Sequence, residues 1–206
     1  MSEPAGTEKE FNALKVPLSE RGLRTDEYLT ALRALWSQDP ASFDGRFTSF
    51  RCVSLGAPER TPGGPPVWVG GASDAALRRA LLFGDAWHGS GASIEMLAEV
   101  RGRLERIGGE VERDPRTLEL TSVQFLTPPG LPAAGPAWSH ALGAPKPSVE
   151  SVVDQLGRLE AAGLSMVSLW MAVAPPAITA AFAWVAEEVM PNLGSLDREP
   201  RSATNA

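Results

Sequence analysis

Gly70 and Gly71, followed by Ala72, Ser73 and Asp74, lie between an apolar β-rich run, Val67-Trp68-Val69, and a helical pattern carrying Leu77, Ala80, Leu81 and Phe83. Adjacent glycines let backbone pass close to a bound group, and the unpartnered N–H groups at a helix start favour an anion. The residues therefore admit a phosphate seat. They equally admit a plain tight turn whose helix is capped by Ser73 or Asp74. Further on, Asp85-Ala86-Trp87-His88 opens another strand-like segment. His88 is predicted at the C-terminal end of that strand, where an imidazole suits the relay of a proton. The competing reading is a polar residue at a pocket rim, because His88 has no obvious orienting acid nearby. Arg78 and Arg79 either help neutralise a phosphate or face solvent from the second helical turn. His140, in a Pro-rich stretch, is expected to be solvated. No Ser-His-Asp set, metal-ligand spacing or P-loop pattern occurs.

The elements that must position these residues follow from periodicity. A helix is predicted over 25–36, with Thr25 as its cap and Tyr28, Leu29, Leu32, Leu35 and Trp36 as a packing stripe. Residues 42–53 read as a hairpin turning at Asp44-Gly45. Strands are expected at about 67–70, 85–88, 118–126 and 166–171, each with a helix behind it. The helix over 94–107 is expected to stop at Gly108-Gly109, and Ser148 is expected to cap another that runs to Ala162. Residues 128–147, with Trp138 and His140 among prolines and glycines, read as a long loop or lid. A last helix is predicted from Pro176 to about Met190, and residues 194–206 as a disordered polar tail behind a single domain over 1–193. Strand-then-helix repetition means an α/β chain with a parallel sheet. The first strong helix has no strand before it, as in the later part of a larger array. A complete (β/α)8 barrel takes about 250 residues.

Composition narrows the partners. With 206 residues one sizeable core is accessible, and a net charge of −6 leaves no electrostatic footprint for nucleic acid or an anionic membrane surface. The single cysteine, Cys52, forms no internal disulfide, which points to a cytoplasmic setting. No apolar run is long enough to span a bilayer.

Several segments together resemble the luciferase-like monooxygenase family, in particular its coenzyme F420-dependent oxidoreductase branch. They are EFNALKVPLSERGLRTDEYLTALRALW, SFDGRFTSF, PPVWVGGASDAALRRALLFGDAWH, and VDQLGRLEAAGLSMVSLW with VMPNL behind it. The resemblance implies the C-terminal portion, about four βα units, of a TIM barrel that binds F420, or alternatively FMN, at the C-terminal ends of its strands. It implies cofactor contacts from Gly70, Gly71, Ala72, Ser73 and Trp87, with Trp87 lining the barrel mouth and Asp85 structural; Ala86 departs from the family's Gly-Asp-Gly-Trp element. It implies hydride transfer between a deazaflavin or flavin and a small organic substrate. His88, by its place at a strand end, is the one catalytic candidate, and no metal is expected. Members carry four βα units before the segment that begins here at Glu10. The chain is accordingly expected to be a truncated member, inactive alone. The alternative is a non-catalytic half-barrel serving as a binding or assembly module. Open sheet edges predict a homo-oligomer.

Overall fold

In the computed structural model, residues 8–56, 63–135 and 141–194 are described. His140, Trp138 and the tail over 195–206 lie outside them. A short helix α1 (Glu8–Ala13) and a single 3-10 turn (Leu18–Glu20) lead into α2 (Arg21–Ser37). An antiparallel hairpin follows, β1 (Ala41–Asp44) and β2 (Ser49–Val53), closed by a bond from Gly45 N–H to the Thr48 carbonyl of 3.0 Å. The remainder repeats strand and helix: β3 (Trp68–Gly70), α3 (Asp74–Phe83), β4 (Ala86–Ser90), α4 (Ile94–Val111), β5 (Glu119–Leu126), α5 (Val149–Ala161), β6 (Met166–Met171) and α6 (Ile178–Trp184). The sheet is parallel, in the order β3-β4-β5-β6.

Strand alternation divides the sheet into two unlike faces. Val69, Trp87, Leu120 and Leu126 point to one side and join a single apolar cluster with Leu77 and Leu81 of α3, Leu97, Val100 and Leu104 of α4, and Val152 and Leu159 of α5. All three helices therefore cover the same face. A doubly wound sheet would be covered on both. The opposite face carries Trp68, 44% exposed, Met166, 39%, and Trp170, 63%. Helices outside and an uncovered inner face are the architecture of a TIM-barrel segment, here four βα units whose sheet is open at β3 and β6 among the described residues.

Three helices start alike. Ser73, Ser93 and Ser148 each accept a hydrogen bond from the N–H three residues on, of Ala76, Met96 and Ser151, and Ser148 and Ser151 form a reciprocal capping box. Other expectations need correction. Thr25 is no cap: α2 begins four residues earlier, and the Thr25 hydroxyl donates to the Arg21 carbonyl at 2.7 Å within the helix. Its stripe is only partly packed, since Ala31 alone is buried while Tyr28 and Leu32 stay exposed. Gly108-Gly109 does not end α4, which runs on to Val111 and turns at Glu112 (φ 55°). Gly108 is needed on the buried side of that helix, where a Cβ would come within 2.7 Å of the Arg113 carbonyl. The last helix is not uniform. A 3-10 turn (Pro175–Ala177) precedes α6, and a π-helical turn (Val185–Val189) and a 3-10 turn (Met190–Asn192) follow it. The segment after β5 is tied back to the sheet. Ala134 N–H donates to the Ala172 carbonyl at 3.0 Å, and Leu142 N–H to that of Phe125 at 2.8 Å.

Candidate functional site

The glycine turn sits at the C-terminal end of β3, and register places it beside His88. Gly70, the last residue of β3, pairs with His88 in the middle of β4. β4 runs two residues beyond the predicted end because Gly89 and Ser90 continue the ladder against Ser122 and Val123. Gly71 has φ +102°, a conformation L side chains rarely adopt, and a Cβ there would lie 3.0 Å from that of Ala76. Only glycine fits without strain. Residues 70 to 73 are all exposed, so the turn is open to a ligand. Of the N–H groups that a helix start leaves unpartnered, the Ser73 hydroxyl takes that of Ala76, at 3.2 Å.

Asp74, in the first turn of α3, would repel an anion, but its charge is countered. Arg103 donates to its Oδ1 at 2.6 and 2.8 Å, and Arg106 to its Oδ2 at 2.7 Å. Those bonds, Arg103 first, hold the carboxyl below the ordinary aspartate range. Neither arginine is marked in the sequence, because nothing local pairs α4 with the start of α3. Arg78 and Arg79, the sequence's candidates for neutralising a phosphate, are engaged elsewhere. Arg78 pairs with Glu110 of α4, and Arg79 pairs with Asp26 of α2 while donating to the Gly22 carbonyl at 3.1 Å. They dock helices.

Trp87 differs from its expected place at an open mouth. Its side chain belongs to the helix-covered face and is fully buried, with Gly89 leaving room for the ring. From there the indole N–H donates 2.8 Å to the Gly71 carbonyl. Trp87 thus holds the turn from behind. Asp85 is structural as expected: its Oδ2 accepts from Val67 N–H at 2.7 Å, and its own N–H donates to the Val67 carbonyl at 2.8 Å.

His88 faces the inner side, half-buried, with its ring stacked on Trp68 at 5.4 Å between centroids and 27° between planes. Its Nδ1 is 2.8 Å from the hydroxyl of Thr121, a fully buried residue of β5. Sequence reasoning missed Thr121. The available signal was the cluster of polar residues Thr121, Ser122 and Gln124 in an otherwise apolar strand. Ser122 and Gln124 hold the next turn: Ala92 N–H donates to the Ser122 hydroxyl at 3.2 Å, and Gln124 Nε2 donates to the Ala92 carbonyl at 2.9 Å. Among the described residues no three His, Cys, Asp or Glu side chains converge as a metal site, and no helix is long and apolar enough to cross a membrane.

Comparison with known proteins agrees with this fold. The sequence model described as luciferase-like monooxygenase matches residues 3–127. An uncharacterized protein of Mycobacterium tuberculosis (strain ATCC 25618 / H37Rv) is 29% identical over 124 residues, which is 60% of this chain and 42% of that protein. The FMNH(2)-dependent dimethylsulfone monooxygenase of Pseudomonas putida is 34% identical over 89 residues, 42% of this chain and 24% of that enzyme. A solved structure of an F420-dependent secondary alcohol dehydrogenase, in complex with an F420-acetone adduct, superposes with a TM-score of 0.65 at 18% identity, covering 86% of this chain and 63% of that one. The chain thus spans less than half the length of the curated relatives it matches and under two thirds of that structural one. With the family's sequence pattern running through the hairpin, the glycine turn and the His88 strand, the chain belongs to the luciferase-like monooxygenase family.

Proposed function

We propose that this chain carries the C-terminal half of the site of an F420-dependent oxidoreductase, with FMN as the alternative cofactor, acting on a small organic substrate. The observation that carries the reading is the exposed turn at Gly71, restricted to glycine by φ +102° and anchored by the Trp87 indole. The residues fit a phosphate: open backbone, a helix start behind it, and an Asp74 countered by Arg103 and Arg106. Gly70, Gly71, Ala72 and Ser73 would hold that phosphate, and Trp87 would keep the turn in shape. A bound deazaflavin or flavin supplies the hydride chemistry, which no side chain here can provide. The chain's own part is to seat the cofactor's phosphate and to offer His88, level with the end of β3, as a proton acceptor. Support for this reading comes from relatives named for F420 and for FMNH(2).

The test is a fluorescence titration of the purified chain with F420 and with FMN, comparing wild type with Gly71→Val. Forcing an L residue into a left-handed conformation costs about 1–2 kcal/mol, which the free turn relieves by relaxing and must pay again to close on a phosphate. Saturable binding should therefore weaken roughly tenfold in the variant, with circular dichroism unchanged. Equal affinity in both folded proteins returns the turn to a purely structural role.

A second reading, a non-catalytic binding or assembly module, is favoured by one observation, the uncovered inner face with Trp68, Met166 and Trp170. Absence of binding by either cofactor, with the fold intact, selects it. Both readings expect the 206-residue chain alone to show no turnover, because an open inner face cannot orient reactants or exclude water.

A further inference from the structure

We propose that Thr121 is a positioning residue that fixes His88 as its Nδ1–H tautomer, leaving Nε2 as the lone-pair acceptor on the inner face beside the glycine turn. The use of that lone pair rests on the proton role proposed above for His88; the tautomer does not.

A threonine hydroxyl has one proton to give and lone pairs with which to accept. The Thr121 oxygen lies 3.0 Å from the Trp87 carbonyl, which only accepts, and 2.8 Å from His88 Nδ1. Its proton goes to the carbonyl, so toward His88 the oxygen can only accept, and Nδ1 must carry the hydrogen. Thr121 is fully buried, so no solvent competes for either bond. Among the described residues Nε2 has no hydrogen-bond partner. The side chain of free histidine in water prefers the other tautomer, with hydrogen on Nε2 and the lone pair on Nδ1. The hydroxyl therefore reverses the intrinsic preference and moves the basic atom to the nitrogen away from β5.

The arrangement also survives a change of charge. Imidazolium carries a hydrogen on both nitrogens. Nε2 can take a proton and release it while the Nδ1–H bond to Thr121 stays unchanged, with no hydroxyl turning and no ring flip. The Trp68 face stacked on the ring restricts a flip further, and it suits the imidazolium as well as the neutral ring.

The chain has two histidines, so His140→Asn leaves one set of imidazole signals, that of His88. In protein labelled with 15N-histidine, at alkaline pH where the ring is neutral, long-range proton–nitrogen correlation separates the protonated nitrogen from the bare one. We expect Nδ1 to be the protonated nitrogen in this background and with Thr121→Ser. Thr121→Val, which keeps the shape and removes the hydroxyl, should shift the pattern toward Nε2–H. A hydrogen on Nε2 with Thr121 in place overturns the inference, as does a folded Thr121→Val with an unchanged Nδ1–H pattern. Should the valine variant fail to fold, the threonine and serine spectra decide alone. The cofactor titration is read independently, so a failure of the cofactor reading leaves this spectrum as it is.

Discussion

At Gly71 two residues far apart in type do complementary work. The glycine supplies a φ of +102°, and the Trp87 indole supplies the donor that holds its carbonyl. Trp87→Phe keeps the ring in its buried slot but leaves that carbonyl without its donor, a loss of about 1 kcal/mol. We expect the loosened turn to lower F420 or FMN affinity about fivefold by fluorescence, beside a drop of roughly 2–4 °C in melting temperature; an unchanged affinity would show that the turn needs no anchor. The glycines were legible in the sequence because their permissiveness is local and leaves a local mark. The role of Trp87 was not. Which face of β4 it occupies depends on pairing with β3 and β5, and a shift of one residue exchanges the faces. Thr121 and the Arg103 and Arg106 pair on Asp74 were hidden for the same reason, since each acts across a separation of about thirty residues.

At the scale of elements, the four strands and the three serine-capped helices were readable because their signals are periodic or confined to one turn. Failures fell where tertiary contact overrides local preference, as at Gly108, kept inside α4 by the chain returning against it. The hairpin shows the same dependence. Glu27 of α2 reaches its turn and accepts from the N–H groups of Arg46, Phe47 and Thr48 at 2.8, 2.7 and 2.8 Å. Desolvation pushes the Glu27 carboxyl up, but the three backbone bonds together outweigh it and leave the group below the ordinary glutamate range. A carboxyl depressed in the folded state contributes stability that is complete above its unfolded value, about 4.3, and is lost as pH falls through the lower folded value. The amide proton shifts of Phe47 and Thr48 should thus titrate together with a midpoint below that of free glutamate, and Glu27→Gln should abolish the titration. A midpoint at or above the free value would mean that the carboxylate does not hold the turn.

For the whole molecule the decisive feature is that helices cover one face of the sheet, while the other is covered only in part, around Ala86 and Thr121. Trp68, Met166 and Trp170 stand exposed on the inner side, and the sheet edges at β3 and β6 present backbone groups without strand partners among the described residues. In a closed barrel, side chains from all eight strands fill that interior. Large apolar side chains gathered on one uncovered face mark an interface or an aggregation liability. Covering them with a second copy removes apolar surface from water, and surface charge repulsion at a net charge of −6 opposes that only weakly. We therefore expect the purified chain to pair face to face or edge to edge, or else to aggregate. Trp170→Glu and Trp68→Glu, which place charge on the inner face, should shift it toward the monomer. Light scattering behind a sizing column measures the outcome. A sharp, stable peak at 21.9 kDa for the unmodified chain, melting cooperatively, would show that the inner face needs no cover.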